Sequence, residues 1–160
     1  MQTNKPLFIF DLDGTLCNCH HRLHYIEKEE KNWNDFYKAC RVDVANKSVL
    51  AVLDSLIKSN VEIWFWTGRS DICVEETIEW LEDVLPEKFF IQGNIELNKN
   101  LRMRKDGDWR KDYEIKESWL LSLSENDRNR LFGVFEDRKS VVDMWRKNNV
   151  FCFQVAEGDF

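Results

Sequence analysis

Two acidic residues, Asp11 and Asp13, directly follow a short apolar run of the sequence, Leu7–Phe10. Alternate residues of an extended chain point to the same side, so we expect the two carboxylates to point together while Leu12 turns toward the core. Carboxylates this close repel each other unless one is protonated or a cation neutralises them. A bound Mg²⁺ meets that need, because it prefers carboxylate oxygens and keeps coordination positions for water and for a phosphate group.

Two further polar groups also stand where an apolar run ends. The first group is Thr67, Gly68 and Arg69, and the second is Glu136 and Asp137. Apolar runs of strand length alternate with segments of helical periodicity, which predicts an α/β domain whose parallel sheet is covered by helices on both faces. The carboxyl ends of parallel strands form one edge, where such sheets bind ligands. We therefore expect all three groups to converge on one site.

About five strands are predicted to alternate with four helices along residues 1–160, which we interpret as a single domain. The strands are predicted at 7–10, 61–67, 89–91, 131–135 and 150–155, and the helices at 49–57, 72–85, 113–123 and 140–148. The polar residues 94–110 are predicted to be irregular. The segment 17–46 is too short for a full cap domain, so we expect a small cap or flap there.

The composition indicates a globular protein rather than one with a broad nucleic-acid surface. A net charge of −6 over 160 residues argues against a broad basic surface, although it allows a short local groove. The five cysteines are odd in number, contain no C-x-x-C pair and follow no signal peptide, which favours a reduced cytoplasmic protein. The apolar runs are far shorter than the ~20 residues that span a membrane, so no membrane association is expected.

Four motifs, taken in chain order, carry a family resemblance. They are Asp11-Leu12-Asp13-Gly14-Thr15-Leu16, Thr67-Gly68-Arg69, Lys116 on a predicted helix, and Glu136-Asp137. In this order and context they resemble the four signatures of the haloacid dehalogenase (HAD) superfamily, most of whose members are phosphohydrolases. The resemblance covers essentially the whole chain. It implies a Rossmann-like three-layer fold with a minimal cap and a Mg²⁺-dependent phosphatase activity.

The same resemblance implies a role for each motif residue. Asp11 would be the nucleophile that forms an aspartyl-phosphate, and Asp13 would act as general acid and then as general base. Mg²⁺ would be held by Asp11, by the backbone carbonyl of Asp13 and by the acidic pair, of which we favour Asp137 over Glu136 as the direct ligand. The residues expected to bind the phosphate are Thr67, Gly68, Arg69 and Lys116.

A narrower resemblance is carried by residues 103–112 with Lys116, by residues 136–145, and by the ending 145–160. These segments resemble the 3′-phosphatase domain of phage-type polynucleotide kinase-phosphatases. The chain lacks the G-x-x-x-x-G-K-[ST] loop of the kinase domain, which implies a stand-alone phosphatase. Glu136 stands where the family often has Asp, a change that keeps the charge. Residues expected near the anionic substrate are Thr15, His21, Arg22, Arg104 and Arg110.

Other interpretations of the sequence remain open. Cys17, Cys19, His20 and His21 could bind zinc, but the C-x-C spacing without a second pair of ligands favours a flexible segment over the site. The aromatic residues Trp33, Phe36 and Tyr37 could stack on a nucleobase or form an amphipathic helix over the sheet.

Three functions are compatible with these patterns. The first is removal of 3′-phosphate from polynucleotide ends, and the second is hydrolysis of free (deoxy)nucleoside monophosphates. The third is a non-catalytic binding protein, which is disfavoured because a scaffold has no need for two mutually repelling carboxylates. The choice of DNA or RNA, the oligomeric state and any protein partners stay open.

Overall fold

The computed structural model describes residues 4–91 and 93–158, so Asp159 and Phe160, the end of the C-terminal resemblance, lie outside the described residues. The strands within them are β1 Leu7–Phe10, β2 Cys17–Asn18, β3 Val44–Ala45, β4 Glu62–Ser70, β5 Leu101–Arg104, β6 Leu131–Arg138 and β7 Cys152–Gly158. Five of these strands form a central sheet in the order β5-β4-β1-β6-β7, and every neighbouring pair is parallel. The predicted α/β class with about five parallel strands is confirmed.

The helices connect the strands and lie over both faces of the sheet. They are α1 Trp33–Lys38, α2 Lys47–Lys58, α3 Val74–Val84, α4 Glu87–Phe90, α5 Asp112–Leu121, α6 Glu125–Arg130 and α7 Lys139–Lys147. The four predicted long helices correspond to α2, α3, α5 and α7. None of the helices formed by the described residues is both long and apolar enough to cross a membrane.

Alternating side chains of the central strands supply two apolar cores. In β4, Ile63 and Phe65 pack into the core that includes buried residues of α2 and α3, while Trp64 and Trp66 pack into the core that includes α5 and α7. In β1, Ile9 is fully buried in the second of these cores. This period of two follows from the pleat of a strand that is covered on both sides. The middle of the sheet therefore holds the ends of β1, β4 and β6 rigidly in place.

The strand predicted at 89–91 is wrong, because Phe89 and Phe90 belong to the short helix α4. Phe89 is buried there and packs against Phe65 of β4, with the ring centroids 5.8 Å apart. A three-residue apolar run has no measurable periodicity, so burial alone could not distinguish a strand from one helical turn.

The edge strand of the sheet is instead β5, inside the segment that was predicted to be irregular. Leu101 and Met103 are buried, whereas Arg102 and Arg104 point to the other side. The Arg102 guanidinium lies 4.9 Å from the Trp66 ring centroid, so this arginine covers part of the sheet face. Arginine in two of the four positions hid the alternating pattern of a half-buried strand.

The predicted cap segment contains the small antiparallel pair β2–β3, helix α1 and two short 3-10 helices. Helix α1 begins after Asn32, whose side chain accepts a hydrogen bond from the backbone N–H of Asp35. Its aromatic side chains contact one another, with the Trp33 and Tyr37 centroids 5.9 Å apart. The segment therefore has a packed structure of its own.

Candidate active site

The carboxylates that follow β1 and end β6 meet at one edge of the sheet, as the parallel arrangement requires. Asp11, Glu136 and Asp137 are all buried, and one carboxylate oxygen from each lies within 4.8 Å of the other two. Lys116 of α5 donates from Nζ to Asp11 Oδ1 at 2.7 Å and to Glu136 Oε2 at 2.8 Å. The structure thus brings together residues from three stretches that stand far apart in the sequence, at Asp11, at Lys116 and at the adjacent pair Glu136 and Asp137.

The charge of this acidic cluster is only partly balanced by protein groups. Burial raises the pKa of Glu136 to about 7, against the opposing effect of Lys116. Burial and the nearby Asp11 charge raise the pKa of Asp137 to about 6. Burial and repulsion by Glu136 also hold the pKa of Asp11 well above its usual range. A cation bound among the three carboxylates would relieve this repulsion.

The donor set fits Mg²⁺. All three candidate ligands are carboxylates, and hard oxygen ligands without a thiolate or imidazole suit Mg²⁺ rather than zinc. Both oxygens of Glu136 accept hydrogen bonds from protein groups, Oε2 from Lys116 and Oε1 from the backbone N–H of Asp137 at 3.2 Å. Asp137 is therefore better placed than Glu136 to be the direct ligand.

The turn after β1 is shaped around Asp137. Gly14 has a φ of +84°, and a Cβ built there would lie 2.2 Å from Asp137 Oδ2. A Cβ on Gly158 would also approach this oxygen, at 2.8 Å. Thr15 is fully buried and donates from Oγ1 to Asp137 Oδ1 at 3.3 Å. The predicted substrate residue Thr15 thus orients a carboxylate.

Asp112, one helical turn before Lys116, belongs to the site but was not singled out from the sequence. Its Oδ2 lies 3.3 Å from Lys116 Nζ, and its buried Oδ1 accepts no hydrogen bond from the described residues, with Arg104 Nη2 at 3.7 Å. A Cβ on Gly68 would lie 2.5 Å from that Oδ1. The only sequence signal was the i,i+4 spacing of Asp112 and Lys116 on a predicted helix.

Two buried arginines hold Asp13 from the other side. Arg22 Nη2 donates to Asp13 Oδ1 at 2.5 Å, and Arg69 Nη2 donates to the same oxygen at 2.6 Å. The same two nitrogens also bind Asp43 Oδ2, at 2.8 and 2.7 Å. Neither guanidinium is solvent-exposed, so both are engaged by carboxylates rather than open to a substrate. No sequence motif surrounds Asp43, and sequence reasoning missed it.

This clamp favours the ionised form of Asp13. Burial by itself raises the pKa of Asp13, but Arg69 and Arg22 outweigh it and hold the pKa well below the usual range. Asp13, Cys17 and Asp43 also form a group of possible metal ligands. Because Arg22 and Arg69 bind both of its carboxylates, a cation there would be repelled.

The zinc interpretation of the cap segment gains no support from the geometry. The Cys17 thiol is buried and donates to the Leu12 carbonyl, and burial raises its pKa. His21 Nε2 lies 2.8 Å from Asp43 Oδ1. Within the described residues, Cys19 and His20 join no group that could hold a metal ion.

The remaining residues predicted to bind phosphate or substrate, Thr67, Arg104 and Arg110, make hydrogen bonds to neighbouring protein groups in this structure. Thr67 Oγ1 accepts a hydrogen bond from the backbone N–H of Arg69 at 3.2 Å. Arg104 donates from Nε to the Gly68 carbonyl at 3.0 Å, and the exposed Arg110 pairs with Asp108 at 2.6 Å. These two arginines shape the loop between β5 and α5 in this structure.

A cavity of about 1090 Å³ opens over the acidic cluster. Asp11, Asp13 and Asp137 line one part of it. Aromatic residues of the cap segment and of the β5–α5 loop line another part, among them Trp33 and Trp109. The cavity therefore joins the carboxylates to an aromatic wall.

Comparisons with known proteins assign the family. The family described as the polynucleotide kinase PNKP phosphatase domain, of the HAD type, matches residues 5–160. A protein of Autographa californica nuclear polyhedrosis virus, named as a bifunctional polynucleotide kinase/RNA ligase, is 31% identical over 137 residues, which are 85% of this chain and 17% of the relative.

Solved structures agree with this assignment. A chain of the Pnkp1/Rnl/Hen1 RNA repair complex is 29% identical with a TM-score of 0.70, and the match covers 100% of this chain and 45% of that one. The class C acid phosphatase from Bacillus anthracis shares the fold at 14% identity, with a TM-score of 0.57 over 94% of this chain and 68% of that one. The chain spans less than half the length of the viral relative and of the repair-complex chain. It belongs to the PNKP phosphatase-domain family, whose members are HAD-type phosphatases.

Proposed function

We propose that this chain is a Mg²⁺-dependent phosphomonoesterase that removes the 3′-phosphate from polynucleotide ends through an aspartyl-phosphate at Asp11. The observation that carries the proposal is the buried Asp11 carboxylate, which Lys116 holds beside Glu136 and Asp137 at the floor of a cavity. The choice of a polynucleotide 3′ end rests on the family match.

Asp11 would attack phosphorus with one carboxylate oxygen while the bond from phosphorus to the leaving 3′ oxygen breaks. Lys116 binds Oδ1, so we assign the attack to Oδ2. Water then attacks the phosphorus of the aspartyl-phosphate and releases inorganic phosphate, which restores the carboxylate. Mg²⁺ bound by Asp137 and Asp11 would offset the charge of the phosphate and orient it.

Asp13 would donate a proton to the leaving oxygen and later accept one from the attacking water. Arg22 and Arg69 fix the direction of its carboxylate but also favour the ionised form. The negative charge of an incoming phosphate would favour the protonated form that the first step needs. The two arginines thus position Asp13 and tune its charge, rather than serving as free phosphate-binding groups.

Three substrates test the function. We expect Mg²⁺-dependent release of phosphate from a 3′-phosphorylated single-stranded oligonucleotide, at a much higher kcat/KM than from the 5′-phosphorylated oligonucleotide or from nucleoside monophosphates. Release from monomers alone would contradict the polynucleotide assignment and favour the nucleotide phosphatase. Inertness toward all three would contradict a phosphatase function.

Removal of the metal should strongly reduce turnover. Metal bound in such sites supplies several kcal/mol of transition-state stabilisation, so EDTA should lower kcat by about 10²–10³-fold, and excess Mg²⁺ should restore it. Binding has a separate readout, because a ligand of the native state raises the melting temperature. Mg²⁺ should raise the melting temperature of the wild type but not that of Asp137→Asn. Full activity after exhaustive chelation would contradict the metal assignment.

Gly14→Ala should inactivate the protein more than its backbone strain explains. The new Cβ would meet the Asp137 carboxylate at 2.2 Å and displace it. Gly107 is the matched control, since its φ of +78° is similar but a Cβ there meets no atom of the described residues within 4 Å. Both variants should lose about 1–2 kcal/mol of stability from the left-handed conformation. Hydrolysis of p-nitrophenyl phosphate should fall only in Gly14→Ala, and equal rates in the two variants would contradict this geometry.

A further inference from the structure

We propose that Trp109 is a stacking platform for the terminal nucleobase of a single-stranded polynucleotide whose 3′-phosphate lies at Asp11. The inference rests on the proposed function and names a contact that holds its substrate. Trp109 is 83% exposed. By contrast, Trp64, Trp66, Trp80 and Trp145 are all buried, with exposures of 8% or less.

Trp109 is exposed beside the candidate active site. A single exposed apolar residue is common on protein surfaces and needs no explanation by itself. Trp109, however, lines the same cavity as Asp11 and Asp137, so this residue borders the space where a substrate held at Asp11 would lie. At about 1090 Å³, the cavity exceeds the ~300–1,000 Å³ that pockets for one small ligand occupy. It therefore has room for a nucleotide beyond the phosphate.

The backbone on both sides of Trp109 is fixed. Arg104 donates from Nη1 to the Asp108 carbonyl at 2.9 Å and to the Arg110 carbonyl at 2.6 Å, so it binds the residues before and after the tryptophan. The Nε of the same arginine is bound to the Gly68 carbonyl at 3.0 Å, which ties the loop to the end of β4. The ring is thus presented to solvent from a hydrogen-bonded turn, and little backbone conformational entropy remains to be lost on binding.

The chemistry of the surrounding wall favours a nucleobase. Trp33, stacked near Tyr37, also lines this cavity, and Trp33 and Trp109 both border a second, shallower cavity of about 730 Å³. Lys47 is exposed on the wall of the first cavity, which also carries the exposed acidic residues Glu27 and Glu157, and it can pair with one phosphate of a sugar–phosphate backbone. Aromatic platforms with a nearby basic group are how proteins bind single strands without reading their sequence.

Equilibrium binding of a 3′-phosphorylated oligonucleotide to Asp11→Asn protein measures this contact without turnover. Adding Trp109→Ala should raise the Kd about five- to a hundredfold, the range expected for one base–aromatic stack. Trp109→Phe keeps a ring face and should retain most of the affinity. The matched control is Phe151→Ala, because Phe151 is 79% exposed and does not line the cavity. This control should bind like the parent.

Kinetics with Asp11 intact separate the two proposals. Trp109→Ala should lower kcat/KM for the oligonucleotide about tenfold relative to that for p-nitrophenyl phosphate, which has no base to stack. It should also make an oligonucleotide with an abasic 3′-terminal residue as good a substrate as the intact one. If the wild type cleaves the 3′-phosphate but Trp109→Ala binds and turns over like Phe151→Ala, the stacking site is refuted and the function stands. If the wild type does not act on the oligonucleotide, both proposals fail.

Discussion

Asp11→Asn should abolish phosphate release while leaving the fold intact. The amide cannot form the acyl-phosphate, and replacing a nucleophile of this kind lowers kcat by about 10⁴-fold or more. Asn is nearly isosteric with Asp and still accepts a hydrogen bond at Oδ1, so Lys116 keeps a partner at that position. The measurement is kcat for the 3′-phosphorylated oligonucleotide, together with the melting temperature.

The control for this substitution is Asp54→Asn. Asp54 is a surface residue of α2 that pairs with Lys58 and lies outside the cavity. It should retain the wild-type kcat, because exposed pairs contribute little and this one is remote from the chemistry. Residual activity of Asp11→Asn within about tenfold of the wild type would contradict the nucleophile assignment.

Asp43→Asn should destabilise the fold and weaken catalysis at the same time. Asp43 is buried and accepts hydrogen bonds from Arg22 at Nε and Nη2 and from Arg69 at Nη2. The substitution removes the negative charge of residue 43, so the buried guanidiniums of Arg22 and Arg69 have only the half-buried Asp13 as a shared counter-charge. Removing one partner of a buried ion pair costs about 3–5 kcal/mol, because the charges left behind stay desolvated and unbalanced.

Urea unfolding measures the stability loss, and Asp54→Asn again serves as the exposed control. The control should change the free energy of unfolding by less than about 1 kcal/mol. Under conditions where Asp43→Asn remains folded, kcat should still be reduced, because Arg22 and Arg69 no longer hold Asp13 in one direction. A variant with wild-type stability would show that Asp43 is not the counter-charge of the two arginines.

The sequence was sufficient to predict the acidic cluster because the fold class determines its position. Asp11 follows one buried strand and Asp137 lies near the end of another, and parallel strands present their carboxyl ends at the same edge. Lys116 was found through its family motif rather than through periodicity. The hydrogen bonds from Lys116 Nζ to Asp11 and to Glu136 could be identified only from the structure.

The clamp around Asp13 could not be predicted in the same way. Arg22, Asp43 and Arg69 come from three segments whose approach depends on the packing of the cap segment. Basic residues near a predicted phosphate site suggest direct contact with phosphate. In this structure, buried carboxylates occupy the guanidiniums of Arg22 and Arg69, because a buried charge requires a partner.

The edge strand of the sheet was also predicted wrongly from the sequence pattern. Phe89 and Phe90 suggested a strand because both are apolar, yet they follow Pro86 and form one helical turn. In β5, Arg102 and Arg104 interrupt the apolar signal, because an edge strand can place long basic side chains on a partly covered face. Short elements at an edge are set by tertiary packing more than by local pattern.

Trapping of the phosphoenzyme tests the central claim most directly. Mixing the protein with Mg²⁺ and an oligonucleotide that carries a radiolabelled 3′-phosphate, followed by acid quenching within the first turnover, should leave label on the protein, and peptide mass spectrometry should locate it on Asp11. Release of phosphate without any labelled protein, or label on a different residue, would contradict nucleophilic catalysis by Asp11.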